Sequence, residues 1–364
     1  MPTDERFMRM ALCLAARARG ATLPNPMVGA LVVRSGRVVG RARHVKAGQP
    51  HAEAIALARA GAAAKGSTLY VTLEPCSHTG RTPPCVDGIL KAGVRRVVAA
   101  MVDPDPRVRG RGLRRLRARG VRTTVGVLEE EVRSLNAPFI TRVSRRRPFV
   151  TVKLAASLDG RIAAAGGHSR WISGPPARRF AHRLRAENEA VLVGVKTVLA
   201  DDPRLTARGG PVRRRLIRVV LDSALRTPPG ARLFRSAGPI WIAAGPRASL
   251  SKEARLRGAG AEVLRFPGGN GRVRFSAVLK ELARRGVSRL LIEGGGEVVA
   301  SALEARAVDR AVWIIAPKIF GAGGTVPAVA GKGARSPDRS VRLEGVRARR
   351  MGEDWVMEGR VRFP

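Results

Sequence analysis

Apolar positions along the chain form two successive stretches of alternating helix and strand patterns. Phe7, Met8, Ala11, Leu12 and Ala15 recur at helical spacing, so residues 4–19 read as a helix with Gly20 as its stop. Two β-rich runs, 28–33 and 38–43, bracket Ser35-Gly36 as a hairpin would. Pro50 introduces a helix over 51–60, 69–73 reads as a short buried strand, and 84–92 as the next helix, closed by Gly93. Segments 94–101, 112–119, 121–125 and 128–135 continue the strand–helix alternation of an α/β layer. The pattern breaks at Arg145-Arg146-Arg147-Pro148, which reads as a solvated connector between domains over 1–145 and 148–364. A buried strand over 149–154 restarts it. Strand-like runs recur at 190–193, 216–222, 240–244, 262–266, 289–292 and 311–315, with helical stretches at 175–187 and 275–285. The tail, 341–363, alternates polar and apolar residues and suggests closing antiparallel strands.

Composition agrees with two domains: 364 residues with 45% hydrophobic content can fill two cores. Three cysteines cannot build a disulfide framework, which points to a reducing compartment. Asp4 and Glu5 precede an apolar run of only seven residues, unlike a secretory signal, and no run approaches the ~18 apolar residues of a membrane span. A soluble, cytoplasmic protein without membrane partners is expected. The net charge of +40 raises the question of nucleic acid. Only nine of the 68 basic residues are lysine, however, and the arginines are scattered over the whole length. Aromatics make up 4% of the chain, too few for a base-stacking platform. The expectation is a solvated basic exterior that attracts small phosphorylated substrates, and no dedicated nucleic-acid stripe.

The chemistry concentrates in His51-Ala52-Glu53, Pro75-Cys76 and Cys85. One imidazole and two thiolates can hold zinc and leave the fourth position for a water that the metal acidifies. In zinc deaminases of nucleobases the glutamate of HxE is a proton shuttle, and the second half of the signature is Pro-Cys followed by another cysteine. Eight residues separate the cysteines here instead of two, which the pattern explains as a loop over 77–83 inserted between the ligands. His51 and Cys85 both fall at helix starts, where the dipole favours thiolates. The competing reading of Cys76 and Cys85, as buried hydrophobes or a disulfide, leaves HxE unexplained. Cys13, in the apolar run 10–16, reads as a core thiol. In the second half, Glu293-Gly294-Gly295-Gly296 joins a strand to a helix over 297–303, a turn that lets a pyrophosphate approach a helix N-terminus. Val299 stands where a third spaced glycine would, so a simple tight turn explains it equally well.

Motifs along nearly the whole chain resemble the bifunctional riboflavin-biosynthesis deaminase/reductase family. They are Pro24-Asn25-Pro26-Met27-Val28-Gly29, His51-Ala52-Glu53, the run from Thr72 through Cys76-Ser77-His78-Thr79-Gly80-Arg81 to Cys85, Asp103-Pro104, Lys153, Ser157-Leu158-Asp159-Gly160-Arg161, Trp171-Ile172, Ala200-Asp201-Asp202-Pro203 and Leu205-Thr206. The resemblance implies an α/β chain with a cytidine-deaminase-like three-layer domain followed by a dihydrofolate-reductase-like α/β domain. It implies one zinc per chain on His51, Cys76 and Cys85, with Glu53 relaying protons in hydrolytic deamination of a phosphoribosylated diaminopyrimidinone. Asn25, His44, Ser77 and His78 match positions lining the pyrimidine pocket. NADPH would then reduce the ribosyl carbon to a ribityl chain. Lys153, Ser169, Arg185, Leu205, Arg208 and Glu293 match the substrate side, while Ala155, Trp171, Thr197, Asp201, Ser223 and Gly294, Gly295 and Gly296 match the cofactor side. A homo-oligomer acting on a small phosphorylated pyrimidine is expected.

Three positions depart from the family pattern: Ala30 where relatives can carry cysteine, Ile55 in place of a histidine, and Asp105 where asparagine is usual. The rival from another class is a base-editing zinc deaminase with a basic RNA-binding extension. It shares HxE and Pro-Cys but lacks the long cysteine loop and an α/β second half. A chain with only one active half would be expected to have lost part of its ligand set.

Overall fold

The computed structural model describes residues 3–18, 20–79, 82–208, 215–269 and 271–364. Its chain divides into two compact units, Met1–Arg146 and Arg147–Pro364. Gly80 and Arg81 of the cysteine loop, and Arg19 at the expected end of the first helix, lie outside the described residues.

The first unit runs α1 (Thr3–Ala16), β1 (Gly29–Arg34), β2 (Arg37–Arg43), α2 (Ala52–Ala60), β3 (Thr68–Val71), α3 (Cys85–Lys91), β4 (Arg96–Ala99), α4 (Arg111–Arg117), β5 (Arg122–Val125), α5 (Glu129–Leu135) and α6 (Ala137–Arg145). Its sheet has the order β2-β1-β3-β4-β5, with β1 antiparallel to β2 and β3 and the last three strands parallel. Leu31 and Val32 point to opposite faces of β1, yet both are fully buried. Helices therefore cover both faces, giving three layers. Ser35 and Gly36, with φ of 46° and 75°, adopt the left-handed conformations a tight hairpin needs.

Two expectations need correction. Cys13 is exposed, because the stripe that α1 buries is Phe7, Met8, Ala11 and Ala15, and Cys13 lies on the other face of the helix. The connector is only partly solvated. Arg147 forms a two-pronged ion pair with Asp309, at 2.6 and 2.8 Å, and both side chains are largely buried. It anchors the start of the second unit.

That unit comprises β6 (Phe149–Ser157), β7 (Arg161–Ala163), α7 (Pro175–Glu187), β8 (Ala190–Gly194), α8 (Val195–Asp201), β9 (Ile217–Leu221), β10 (Ile240–Ala244), α9 (Leu250–Gly258), β11 (Glu262–Arg265), β12 (Gly268–Gly269), β13 (Arg272–Val273), α10 (Phe275–Arg284), β14 (Arg289–Glu293), α11 (Gly296–Glu304), β15 (Arg310–Ala316), β16 (Val326–Pro327), β17 (Arg342–Met351) and β18 (Asp354–Arg362). The main sheet has the order β11-β10-β9-β8-β14-β6-β15-β18-β17. It is parallel from β11 to β15, and the terminal hairpin β17–β18 closes it in antiparallel fashion, as the alternating tail implies. β8 is buried along its whole length, as strands covered on both faces are. The carboxyl ends of β6, β14, β8 and β9 thus lie side by side, the place where open α/β sheets bind ligands. Among the described residues no helix is long and apolar enough to cross a membrane.

Candidate active sites

In the first unit, α2 begins immediately after His51 and α3 begins at Cys85, while Cys76 lies in the loop following β3. The donor atoms of His51, Cys76 and Cys85 all lie within 4.8 Å of one another. His51 Nδ1 is 3.1 Å from Cys85 Sγ and 3.6 Å from Cys76 Sγ, whereas Nε2 faces Thr82 Oγ1 at 3.4 Å. Nδ1 is therefore the ring nitrogen turned to the sulfurs. Both cysteines are free thiols. The Cys85 thiol and the His51 ring beside it draw Cys76 down to about 4, and Cys76, together with burial, pushes Cys85 up. His51 is raised in turn, chiefly by its bond to Cys76. One nitrogen and two sulfurs at this spacing fit the soft donor set of zinc, which ionises a coordinating thiol outright. Glu53 is buried, which pushes its carboxyl up, and its Oε2 has no hydrogen-bond partner among the described residues.

The expected pocket residues gather here as well. His44 Nδ1 donates to the Pro50 carbonyl, at 3.3 Å, so Nε2 is left to accept from Asn25 Nδ2 at 3.2 Å. Burial lowers the His44 pKa, consistent with this neutral tautomer. The His44 ring stands edge-on to His51 with centroids 5.6 Å apart. Ser77 and His78 are half-buried in the cysteine loop, and His78 Nδ1 is buried without a partner among the described residues. Of the departures, Ala30 is fully buried in β1 and Ile55 packs against the core. Asp105 is held by Arg107, whose Nε and Nη2 reach its carboxylate at 3.1 and 2.6 Å.

Two positioning residues escape a sequence reading. Glu74, adjacent to Pro75-Cys76, accepts backbone N–H groups of Asp103, Gly110, Gly112 and Leu113 at 2.8 to 3.3 Å. A Cβ at Gly112 would lie 2.0 Å from the Pro75 carbonyl oxygen, so the start of α4 packs directly on the strand end that carries Cys76. Asn136, buried between α5 and α6, takes the N–H of Met27 at 2.8 Å and returns a bond to its carbonyl at 3.0 Å. It thereby fixes the loop bearing Asn25.

In the second unit, Lys153 on β6 is paired in register with Glu293 on β14. Arg185 of α7 clamps Glu293 with two bonds of 2.7 Å, and its Nη1 shares the Thr206 carbonyl with His182 Nδ1, both at 3.0 Å. Burial lowers the Lys153 pKa, with Glu293 opposing it. Leu205 is buried beside this cluster in sequence, and Arg208 is exposed but close enough to act on His182. His182, which sequence reasoning missed, is three residues from Arg185 on one helix face. Ser169 donates to Asp201 at 2.5 Å, so these two, expected on opposite sides of the site, form one contact. Trp171 is 63% exposed, with the Arg178 guanidinium 4.4 Å over its ring. Ala155 is half-buried on β6, and the Ser223 hydroxyl accepts the Val273 N–H at 3.1 Å.

Gly294 and Gly295 have φ of 83° and 79°, and a Cβ at either would lie 3.6 or 3.5 Å from the Thr197 hydroxyl. At Gly296 a Cβ would lie 2.6 Å from the Pro327 carbonyl oxygen. All three positions thus require glycine, and α11 starts at Gly296 with its first-turn N–H groups directed at the turn. This cradle fits the pyrophosphate of a dinucleotide.

Comparison with known proteins assigns each half of the chain to a family. Residues 148–357 match the family model described as the RibD C-terminal domain, and residues 1–101 match the cytidine and deoxycytidylate deaminase zinc-binding region. The riboflavin biosynthesis protein RibD of Aquifex aeolicus is 43% identical over 354 residues, 97% of both chains. That of Escherichia coli is 42% identical over 330 residues, 87% of this chain and 89% of that protein. Among solved structures, Acinetobacter baumannii RibD superposes with a TM-score of 0.86 at 31% identity, covering 99% of both chains. The Thermotoga maritima diaminohydroxyphosphoribosylaminopyrimidine deaminase/5-amino-6-(5-phosphoribosylamino)uracil reductase gives a TM-score of 0.82 at 34% identity, covering 100% of this chain and 99% of that one. A cytidine-deaminase-like unit with a His/Cys/Cys zinc site precedes a dihydrofolate-reductase-like unit, and the likeness spans both: this chain belongs to the RibD family of bifunctional riboflavin-biosynthesis deaminase/reductases.

Proposed function

We propose that the first unit hydrolytically deaminates a phosphoribosylated diaminopyrimidinone and the second reduces the ribosyl group of the product, using NADPH, to a ribitylaminouracil phosphate. The observation that carries this reading is Glu53, whose buried, unpartnered carboxylate oxygen stands beside the His51, Cys76 and Cys85 donors. Bound zinc lowers the pKa of a water and so supplies the hydrolytic nucleophile. Glu53 takes a proton at its free oxygen and returns it to the departing amino nitrogen, a task suited to a carboxyl raised by burial. Neutral His44 orients the Asn25 amide toward the pyrimidine, and Ser77 and His78 close the pocket.

In the second unit, NADPH supplies the hydride. Arg185 and Glu293 fix each other, and Lys153, in register with Glu293 on the adjoining strand, places a cation at the substrate side. Ser169, Leu205 and Arg208 border the same side, while Asp201, Thr197, Ser223, Trp171, Ala155 and the glycine turn border the cofactor, with the Ser169–Asp201 contact joining the two. Hydride transfer from a bound cofactor needs no covalent nucleophile, so the protein's part is positioning and charge.

Purified protein incubated with the diaminopyrimidinone phosphate and NADPH releases ammonia and oxidises NADPH in equal amounts. Ammonia without NADPH oxidation would leave only the first half active, and NADPH oxidation seen only when the deaminated product is supplied would leave only the second. Tight RNA binding at physiological salt with neither reaction would favour the editing deaminase. The reading includes a homo-oligomer, measurable by light scattering. It also includes separately folding halves: limited proteolysis cuts first near 145–148 and leaves two resistant fragments, whereas first cuts elsewhere refute that boundary.

A further inference from the structure

His182 stands at the second site without a task in the reduction described above. It lies in α7, one turn before Arg185, and its ring is half-buried. Its Nδ1 donates to the Thr206 carbonyl at 3.0 Å, and Arg185 Nη1 donates to the same oxygen at 3.0 Å, so both lone pairs of that carbonyl are taken. Burial above all, then the Arg185 cation, lower the His182 pKa, with Arg208 acting in the same direction and Glu293 against it. These influences place the ring among Arg185, Arg208 and Glu293.

The segment that receives the two bonds is not regular structure. Residues 202–208 follow α8 in neither helix nor strand. Asp202 and Leu205 have φ of 40° and 51°, left-handed values that are unfavourable for residues with a Cβ and persist only where neighbours enforce them. Asp202 is restrained at both ends: its N–H bonds the Val198 carbonyl at 3.0 Å, and its Oδ1 accepts the Arg232 N–H at 2.7 Å. Leu205 is 3% exposed and belongs to the core cluster of Val193, Val195 and Val198. Beyond it, the two bonds at the Thr206 carbonyl are the hydrogen bonds that residues 203–208 make among the described residues. Two positions later the exposed Arg208 follows. The two donors differ in what else they hold. Arg185 directs its Nε and Nη2 to Glu293 and so joins the segment to the end of β14. Among the described residues the His182 ring hydrogen-bonds Thr206 alone.

We propose that His182 is a positioning residue for the reductase substrate: by holding the Thr206 carbonyl it fixes the left-handed turn at Leu205, and with it the place from which Arg208 meets the phosphate of the phosphoribosyl substrate. The inference rests on the substrate-side reading of Arg208. A neutral imidazole suits the task, because its Nδ1–H restrains the segment without setting a third cation beside Arg185 and Arg208.

Steady-state reduction of the deaminated intermediate by the full chain, with NADPH saturating, tests this. His182→Leu keeps bulk at the position and removes the donor. Its KM for the intermediate rises about fivefold to twentyfold, kcat stays within about threefold, and the Kd for NADPH does not change. His182→Asn, whose amide N–H can take the place of Nδ1–H, restores the wild-type KM. With the dephosphorylated intermediate the wild-type and His182→Leu proteins have equal kcat/KM, because the phosphate contact is gone from both. Thermal unfolding read alongside shows which variants are folded, and His182→Ala serves as the donorless variant if the leucine does not fold. Equal losses with and without the phosphate, a fall in kcat at unchanged KM, or a His182→Asn protein as impaired as His182→Leu assigns His182 to packing alone and overturns the proposal. Arg208→Gln separates the two readings. If it leaves the KM for the intermediate unchanged, the substrate-side reading of the segment fails; if it raises KM while His182→Leu does not, only the role of His182 fails.

Discussion

Glu53→Gln lowers ammonia release by roughly two to four orders of magnitude and leaves the zinc content stoichiometric. The substitution keeps the shape of the side chain and its burial but removes the carboxylate that can carry a proton. It touches none of the three donors to the metal. Cys85→Ser behaves in the opposite way, because it exchanges a soft sulfur for a hydroxyl in a cage that has only three protein ligands. Its zinc content falls, and ammonia release falls with it. Elemental analysis beside an ammonia assay separates the two. If Glu53→Gln retains wild-type deamination, the proton-relay assignment fails; if the wild-type chain purified without chelator holds no stoichiometric zinc, the metal site fails.

Arg185→Met removes NADPH oxidation and destabilises the second unit by about 3–5 kcal/mol, because it leaves the Glu293 carboxylate largely buried with one partner gone. Activity and stability can be separated. The double variant Arg185→Met/Glu293→Leu replaces the pair by apolar groups and recovers most of the thermal stability, since a buried pair contributes little beyond an apolar isostere. Reduction does not return, because the cation and the carboxylate are both absent from the substrate side. Thermal unfolding monitored alongside NADPH oxidation with the deaminated intermediate reads both effects. A double variant that regains reduction along with stability would assign the pair to packing alone.

How far the sequence shows these sites depends on whether their partners carry a signature. His51, Glu53, Cys76 and Cys85 are legible because few residue types can hold zinc and three of these fall at or beside helix starts or strand ends whose apolar spacing is plain. The glycine turn is legible for a similar reason, and the left-handed φ at Gly294 and Gly295 and the close approach at Gly296 give the physical need for glycine, which a structural turn and a phosphate cradle share. The contact of Ser169 with Asp201 is not legible, since 32 residues separate them and only the tertiary fold closes that distance. Helix α6 is missed because Asn136 and Pro138 look like loop residues. In the structure the proline sits in the first turn, where its missing N–H does no harm, and the asparagine serves Met27. Cys13 misleads because its neighbours are apolar while the buried stripe of the helix passes it by. The role of Glu74 leaves no trace at all, because its partners are backbone N–H groups, which every residue except proline possesses.

The four bonds to Glu74 also bear on how the metal arrives. They come from residues 29 to 39 positions further along the chain, and each joins protein to protein without involving a metal donor. The seat of Cys76 is thus built by long-range protein contacts, unlike that of a small zinc module whose chain collapses only around its ion. The first unit also has a large hydrophobic core of its own, so its stability does not rest on the ion alone. Chelation then switches the deaminase off without melting it, and the rate of recovery follows the concentration of free zinc rather than any refolding step.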